Sequence, residues 1–138
     1  MATISAMVHT VSVSRSGKVR LERVDVAHET GFGLVNPLSV RKQIEGQICW
    51  FYNDAMHQAN TIAGGRIVEN NFDRFSLSRI DEDPPAINVR FFETKHWILG
   101  MGHDRATSVQ SGIGDAIFQI TGRRIRDLPF SQHDLSWG

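Results

Sequence analysis

A single cysteine, Cys49, stands among the 138 residues. That excludes an intrachain disulfide, an iron–sulfur cluster and a multi-cysteine zinc site. Long apolar runs are missing too. No stretch approaches the roughly 18 consecutive apolar residues of a membrane span, so no membrane association is expected. The N-terminus, Met1-Ala2-Thr3-Ile4-Ser5-Ala6-Met7, lacks the basic start and apolar run of a signal peptide. These absences predict a cytoplasmic protein. Charge of one sign is not in excess either: fifteen Lys and Arg balance fifteen Asp and Glu. A general nucleic-acid binder needs a basic surplus to displace counterions, so no nucleic-acid partner is expected. What is present is ordinary for a folded chain, 41% hydrophobic and 22% charged residues. The length predicts one domain over 1–138.

Residue patterning predicts an α+β protein, a mostly antiparallel sheet with two helices packed on one face. Val8 to Val13 and Lys18 to Ala27 read as a hairpin around Ser14-Arg15-Ser16-Gly17. Val19 and Leu21 share a phase that Val24 and Val26 reverse, which predicts a bulge near Glu22-Arg23. His28 to Val35 reads as a loop. Asn36-Pro37 is a helix start, with Asn as cap and Pro in the first helical position. Val40, Ile44, Ile48, Phe51 and Ala55 form one apolar stripe, widened by Tyr52 and Met56, and the helix is expected to end near His57. A small hairpin follows around Gly64-Gly65, then an irregular stretch from Asn70 to Ile80. Asp81 to Pro85 breaks the chain before a strand at Ile87 to Glu93. After a glycine loop at Leu99 to Gly102, a helix from Thr107 or Ser108 presents Val109, Ile113, Ala116, Ile117 and Ile120 to the core. Gly122 is its stop, and Ile125 and Leu128 are expected to return to the core.

Five stretches, in order, resemble one family. They are Ser16-Gly17-Lys18-Val19-Arg20 with Arg23-Val24; Thr30-Gly31 with Val35-Asn36-Pro37; Gln43-Ile44-Glu45-Gly46; Asn71-Phe72 with Phe75 and Arg79; and Asp115-Ala116-Ile117-Phe118 with Thr121 to Pro129. Together they resemble the C-terminal segment of the molybdopterin-binding large subunit of molybdenum hydroxylases. The branch is that of the isoquinoline 1-oxidoreductase β subunit, within the xanthine dehydrogenase/aldehyde oxidase family. Any one of these motifs is weak, whereas five in the same order are specific.

The resemblance implies hydroxylation at a carbon next to nitrogen, or at an aldehyde carbon, by molybdenum on a pterin dinucleotide. It places cofactor-binding residues at Gln43, Glu45, Gly46 and Gly102. It also implies a catalytic glutamate in a Gly-Glu-Pro loop before the last helix, and here that position is His103. Gln47 replaces a small residue of the family pattern, and Phe51-Tyr52 replace Gly-Leu. The expectation is no cofactor in the isolated chain, with molybdopterin cytosine dinucleotide only on assembly with a missing large-subunit partner. The expected reading is a stand-alone, degenerate relative without redox activity of its own; the alternatives are a small subunit that completes a split hydroxylase and a small-ligand enzyme using the Gly102-His103 loop. A homodimer is also expected, through Phe72, Phe75, Phe91, Phe92 and Trp97.

The remaining candidates have plain structural readings. His96 and His103 lie seven apart without a third ligand, so no metal site is expected. His28-Glu29 has the residue types of an acid/base pair but no nucleophile beside it. Glu45 is expected to face solvent or pair with Arg41. Cys49 reads as a small hydrophobe, and Trp50, Trp97 and Trp137 as packing residues. Arg123, Arg124 and Arg126 complement a helix C-terminus better than they make an anion site.

Overall fold

A computed structural model describes residues 4–97 and 106–138. The elements are β1 (Ser5–Val13), β2 (Val19–Gly31), α1 (Pro37–Met56), β3 (Ile62–Ala63), β4 (Arg66–Ile67), β5 (Ile87–Glu93) and α2 (Ala106–Thr121). A short 3-10 turn follows at Phe130–Gln132. Gly102 and His103 lie outside the described residues, as does the rest of the expected glycine loop. No helix among the described residues is long and apolar enough to cross a membrane.

The class is α+β, as the patterning predicts. The main sheet has the order β1-β2-β5. β1 and β2 pair antiparallel, and β5 pairs with β2 in parallel, so the sheet is mixed. Parallel neighbours need a crossover connection, and α1 with the segment after it supplies one. β2 continues to Gly31, which turns the first part of the expected 28–35 loop into strand.

Alternation explains the sheet's two faces. Met7, Val11 and Val13 of β1 stand beside Val26, Leu21 and Val19 of β2, and Val24 and Val26 stand beside Ile87 and Val89 of β5. All of these point to one core. The ladder shifts between Thr10 and Val11, opposite Arg23 and Leu21, leaving Glu22 as the extra residue. That bulge keeps Leu21 and Val24 both inward. The other face carries charge: Arg23 Nε lies 2.6 Å from Asp25, and Asn88 donates to the same carboxylate at 2.9 Å.

The helices close the core. Asn36 caps α1, its Oδ1 accepting from the Ser39 amide at 3.0 Å, with Pro37 next. Ile44, Ile48, Phe51, Tyr52 and Ala55 are buried along one stripe. Phe51 and Tyr52 are therefore both absorbed by this core. Val109, Ile113 and Ile117 of α2 are fully buried. Gly122 ends α2 in the left-handed region at φ +71°, its amide donating to the Phe118 carbonyl at 2.8 Å. Ile125 packs partly against the core, but Leu128 is exposed, because Pro129 and Phe130 take the inward positions beyond it.

Candidate functional site

The site residues within the described part of the chain sit on the outer side of α1. Gln43 and Gly46 are exposed there, and with Lys42, Gln47, Trp50 and Phe51 they line a shallow, largely apolar groove. Their positions follow from helical geometry. The buried stripe runs through Ile44, Ile48 and Phe51, so 43, 46, 47 and 50 fall away from it. Glu45 is partly buried beside this groove. Its carboxylate takes Lys42 Nζ at 2.7 Å rather than pairing with Arg41. Arg41 instead lies over the Phe91 ring, 5.9 Å from its centroid, a contact made possible only by the placement of β5.

Gly46 has no packing reason to be glycine. Among the described residues, no atom outside the adjoining helix backbone lies within 4 Å of the place a Cβ would occupy. A mid-helix glycine costs about 1 kcal/mol relative to alanine, so a bare backbone here suits close approach from outside the chain. The Gln43 amide can donate and accept beside it. The groove thus offers an apolar floor with an exposed backbone and a few polar side chains, Lys42, Gln43 and Gln47, along α1. Gly102 and His103, the rest of the expected site, lie outside the described residues.

Trp50 was not expected in a site. It is 61% exposed, and Trp97 is 84% exposed, so neither is a core packing residue. Its position off the Ile48–Phe51 stripe was the signal available in the sequence. Trp137 is also exposed, at 38%, but is tied down by its Nε1, which donates to the Val13 carbonyl at 3.1 Å.

Other candidates separate. His28 is fully buried, with Nδ1 2.6 Å from Ser5 Oγ and its ring edge-on to Phe91. Glu29 points to the opposite face and accepts from Thr94 Oγ1 at 2.6 Å, so the two form no acid/base pair. Arg123 and Arg124 engage Asp134 and Asp115, and Arg124 also stacks 3.9 Å over Phe118. These arginines are spent on local structure. Burial pushes the Cys49 thiol up to about 11, which suits the hydrophobe reading. No group of three or more metal-ligating side chains occurs among the described residues.

A second depression lies between β2 and the Asp81–Pro85 segment, with Tyr52 at its floor and Lys18, Arg20 and Glu82 on its walls. Burial, then Glu82 and Asp83, push the Tyr52 phenol up to about 12. It is not part of the α1 groove.

No protein-family model matches the chain. Solved structures define the class of fold. A Cu,Mo-CO dehydrogenase matches with TM-score 0.77 over 91% of this chain at 18% identity, covering 17% of that protein. A quinoline 2-oxidoreductase from Pseudomonas putida matches with TM-score 0.72 over 83% of this chain at 20% identity, covering 15% of that chain. The fold is thus one that molybdenum hydroxylases contain.

Sequence relatives narrow this. The chain is 29% identical over its whole length to 18% of a membrane-bound aldehyde dehydrogenase (pyrroloquinoline-quinone) of Gluconacetobacter polyoxogenes. It is 29% identical over 94% of its length to 11% of one subunit of the nicotinate dehydrogenase of Pseudomonas putida. The isoquinoline 1-oxidoreductase β subunit of Brevundimonas diminuta matches at 29% over 90% of this chain and 16% of that protein. The resemblance carried by the five motifs is therefore borne out: the chain is homologous to a segment of these oxidoreductases. It spans less than a fifth of the length of each.

Proposed function

We propose that this chain is the C-terminal portion of a molybdenum-hydroxylase-type large subunit, without redox activity alone, acting by assembly with the larger remainder. The observation that supports this best is the disparity of lengths. At least 90% of the chain aligns with each curated relative, yet it accounts for 11–18% of them. A segment of this size offers one wall of a cofactor site. In this reading Gln43 and Gly46 contact a molybdopterin cytosine dinucleotide along the α1 groove and Lys42 holds Glu45 in place; the resemblance assigns Gly102 to the same group. The bound cofactor would supply the redox chemistry, hydroxylation of an N-heteroaromatic or aldehyde carbon.

His103 occupies the position of the family's catalytic glutamate. An imidazole, with an ordinary pKa near ~6.5, can hold a proton there but becomes a cation rather than a neutral acid. The reading is of a degenerate site, weaker than the family's.

The test is to produce the chain with and without the remainder of such a large subunit, and to measure molybdenum and pterin by mass spectrometry. Molybdenum is expected in the assembly and not in the chain alone. Near-stoichiometric molybdenum in the chain alone would overturn the proposal. In the assembly, His103→Glu is expected to raise turnover of an aldehyde or N-heteroaromatic substrate. A fall would show that the histidine serves the reaction itself.

A further inference from the structure

Between α1 and β5 the chain leaves the core. Residues 61–80 carry six large apolar side chains that face solvent: Ile62, Ile67, Val68, Phe72, Leu77 and Ile80. Phe72 is 89% exposed and Ile80 94%. Single exposed apolar residues need no explanation, but six within one twenty-residue arm do.

The arm is nonetheless well built. β3 and β4 pair around Gly64-Gly65. Glu69 accepts from the Thr61 amide at 2.7 Å, and the Val68 amide donates to the Thr61 carbonyl at 2.9 Å. The Asn71 carbonyl accepts from the Arg74 and Phe75 amides, both at 3.0 Å. At the base, buried Asn53 of α1 accepts the Ser78 amide through Oδ1 at 2.6 Å. The arm's shape is held by its own backbone bonds and that anchor, while its apolar side chains are left over.

We propose that this arm is the docking surface by which the unit seats in an apolar socket on the larger remainder of the large subunit. The proposal rests on the functional reading above and names the surface through which the assembly forms. Two observations choose this occupant. The relatives carry more than four-fifths of their length outside the matched segment, so a partner of the required size belongs to the same architecture. The Asn71-Phe72 stretch is also one of the five that carry the resemblance, yet this unit's own core makes no use of Phe72. The outer sheet face is a poorer candidate, because Arg23, Asp25 and Asn88 already satisfy one another there.

The test is a binding titration of the chain against the separately produced remainder of the large subunit, with light scattering of the chain alone. A one-to-one complex is expected. Phe72→Ser with Ile80→Ser is expected to weaken it by at least about ten-fold while leaving the thermal melt of the free chain unchanged. Val8→Ser, which removes an exposed apolar group from the outer sheet face, serves as control and should bind like the wild type. Amide exchange over residues 61–80 should slow in the complex. If the wild-type chain forms no complex, the functional reading falls, and this proposal with it. If the complex forms but the arm variants bind normally, only the arm proposal falls. If the chain alone has twice its monomer mass and the arm variants restore the monomer, a second copy is the occupant and the proposal is wrong.

Discussion

The imidazole of His9 on β1 fills the space that a side chain at Gly112 of α2 would need. A Cβ on Gly112 would come within 2.8 Å of the ring's Cγ and Cε1. The glycine therefore lets the helix lie close over the edge strand. Gly112→Ala should destabilise the fold by about 1 kcal/mol, because overpacking of roughly 1–3 kcal/mol outweighs the ~1 kcal/mol gained from helix propensity. In a His9→Ala background the same change should stabilise. Urea midpoints of the four proteins in the cycle measure this, and equal effects in both backgrounds would refute the contact.

His9 also sets a pH dependence. Burial lowers its pKa from the ordinary 6.5, and among the described residues its buried Nε2 has no hydrogen-bond partner. The unfolded chain therefore binds the proton more readily than the native state does. Stability contributed by the neutral ring is present above pH 6.5 and is lost as pH falls from there toward the lowered native value. His9→Phe should flatten that part of the stability profile. An unchanged slope between pH 7 and 5.5 in the variant would contradict it.

Ile117 and Trp50 are both apolar helix residues with opposite expected costs. Ile117 is fully buried and Trp50 is 61% exposed. Ile117→Ala should cost roughly 2–5 kcal/mol, and Trp50→Ala about 0.5 kcal/mol or less. Denaturant melts distinguish them. If the proposed groove is used, Trp50→Ala should instead weaken cofactor retention in the assembly.

Cys49 is the sole thiol and reports directly on α1. With its pKa pushed to about 11, the thiolate fraction at pH 8 is on the order of one in a thousand, against about a quarter for a free thiol. Labelling with a disulfide reagent should accelerate by about 100-fold on unfolding. Equal rates in native and denatured protein would show that the thiol is not buried against the core.

Much of this was legible because it is local. The Asn36-Pro37 cap, the Ile44–Ala55 stripe, the extra residue at Glu22 and the Gly122 stop each depend on residues within a few positions of one another, and all are observed. Hydrogen-bond satisfaction and side-chain periodicity act over that range. The placing of Gln43 and Gly46 on an exposed helix face follows in the same way. The resemblance survived at 29% identity because its motifs occur in order along nearly the whole chain.

Tertiary structure decided the rest. Alternation in Ile87–Glu93 assigns faces but not a neighbour or a direction. Only the crossover through α1 made β5 a parallel partner of β2. That placement brought Phe91 under Arg41, which left Glu45 to Lys42 and withdrew Phe91 from the exposed surface expected of it. Phe72 and Phe92, drawn from the same aromatic set, stayed outside. Aromatic residues carry the same hydrophobic drive wherever they stand, so sequence determined which residues seek burial. Which of them obtained it depended on the finite volume enclosed by one sheet face and two helices, a quantity set by the whole fold.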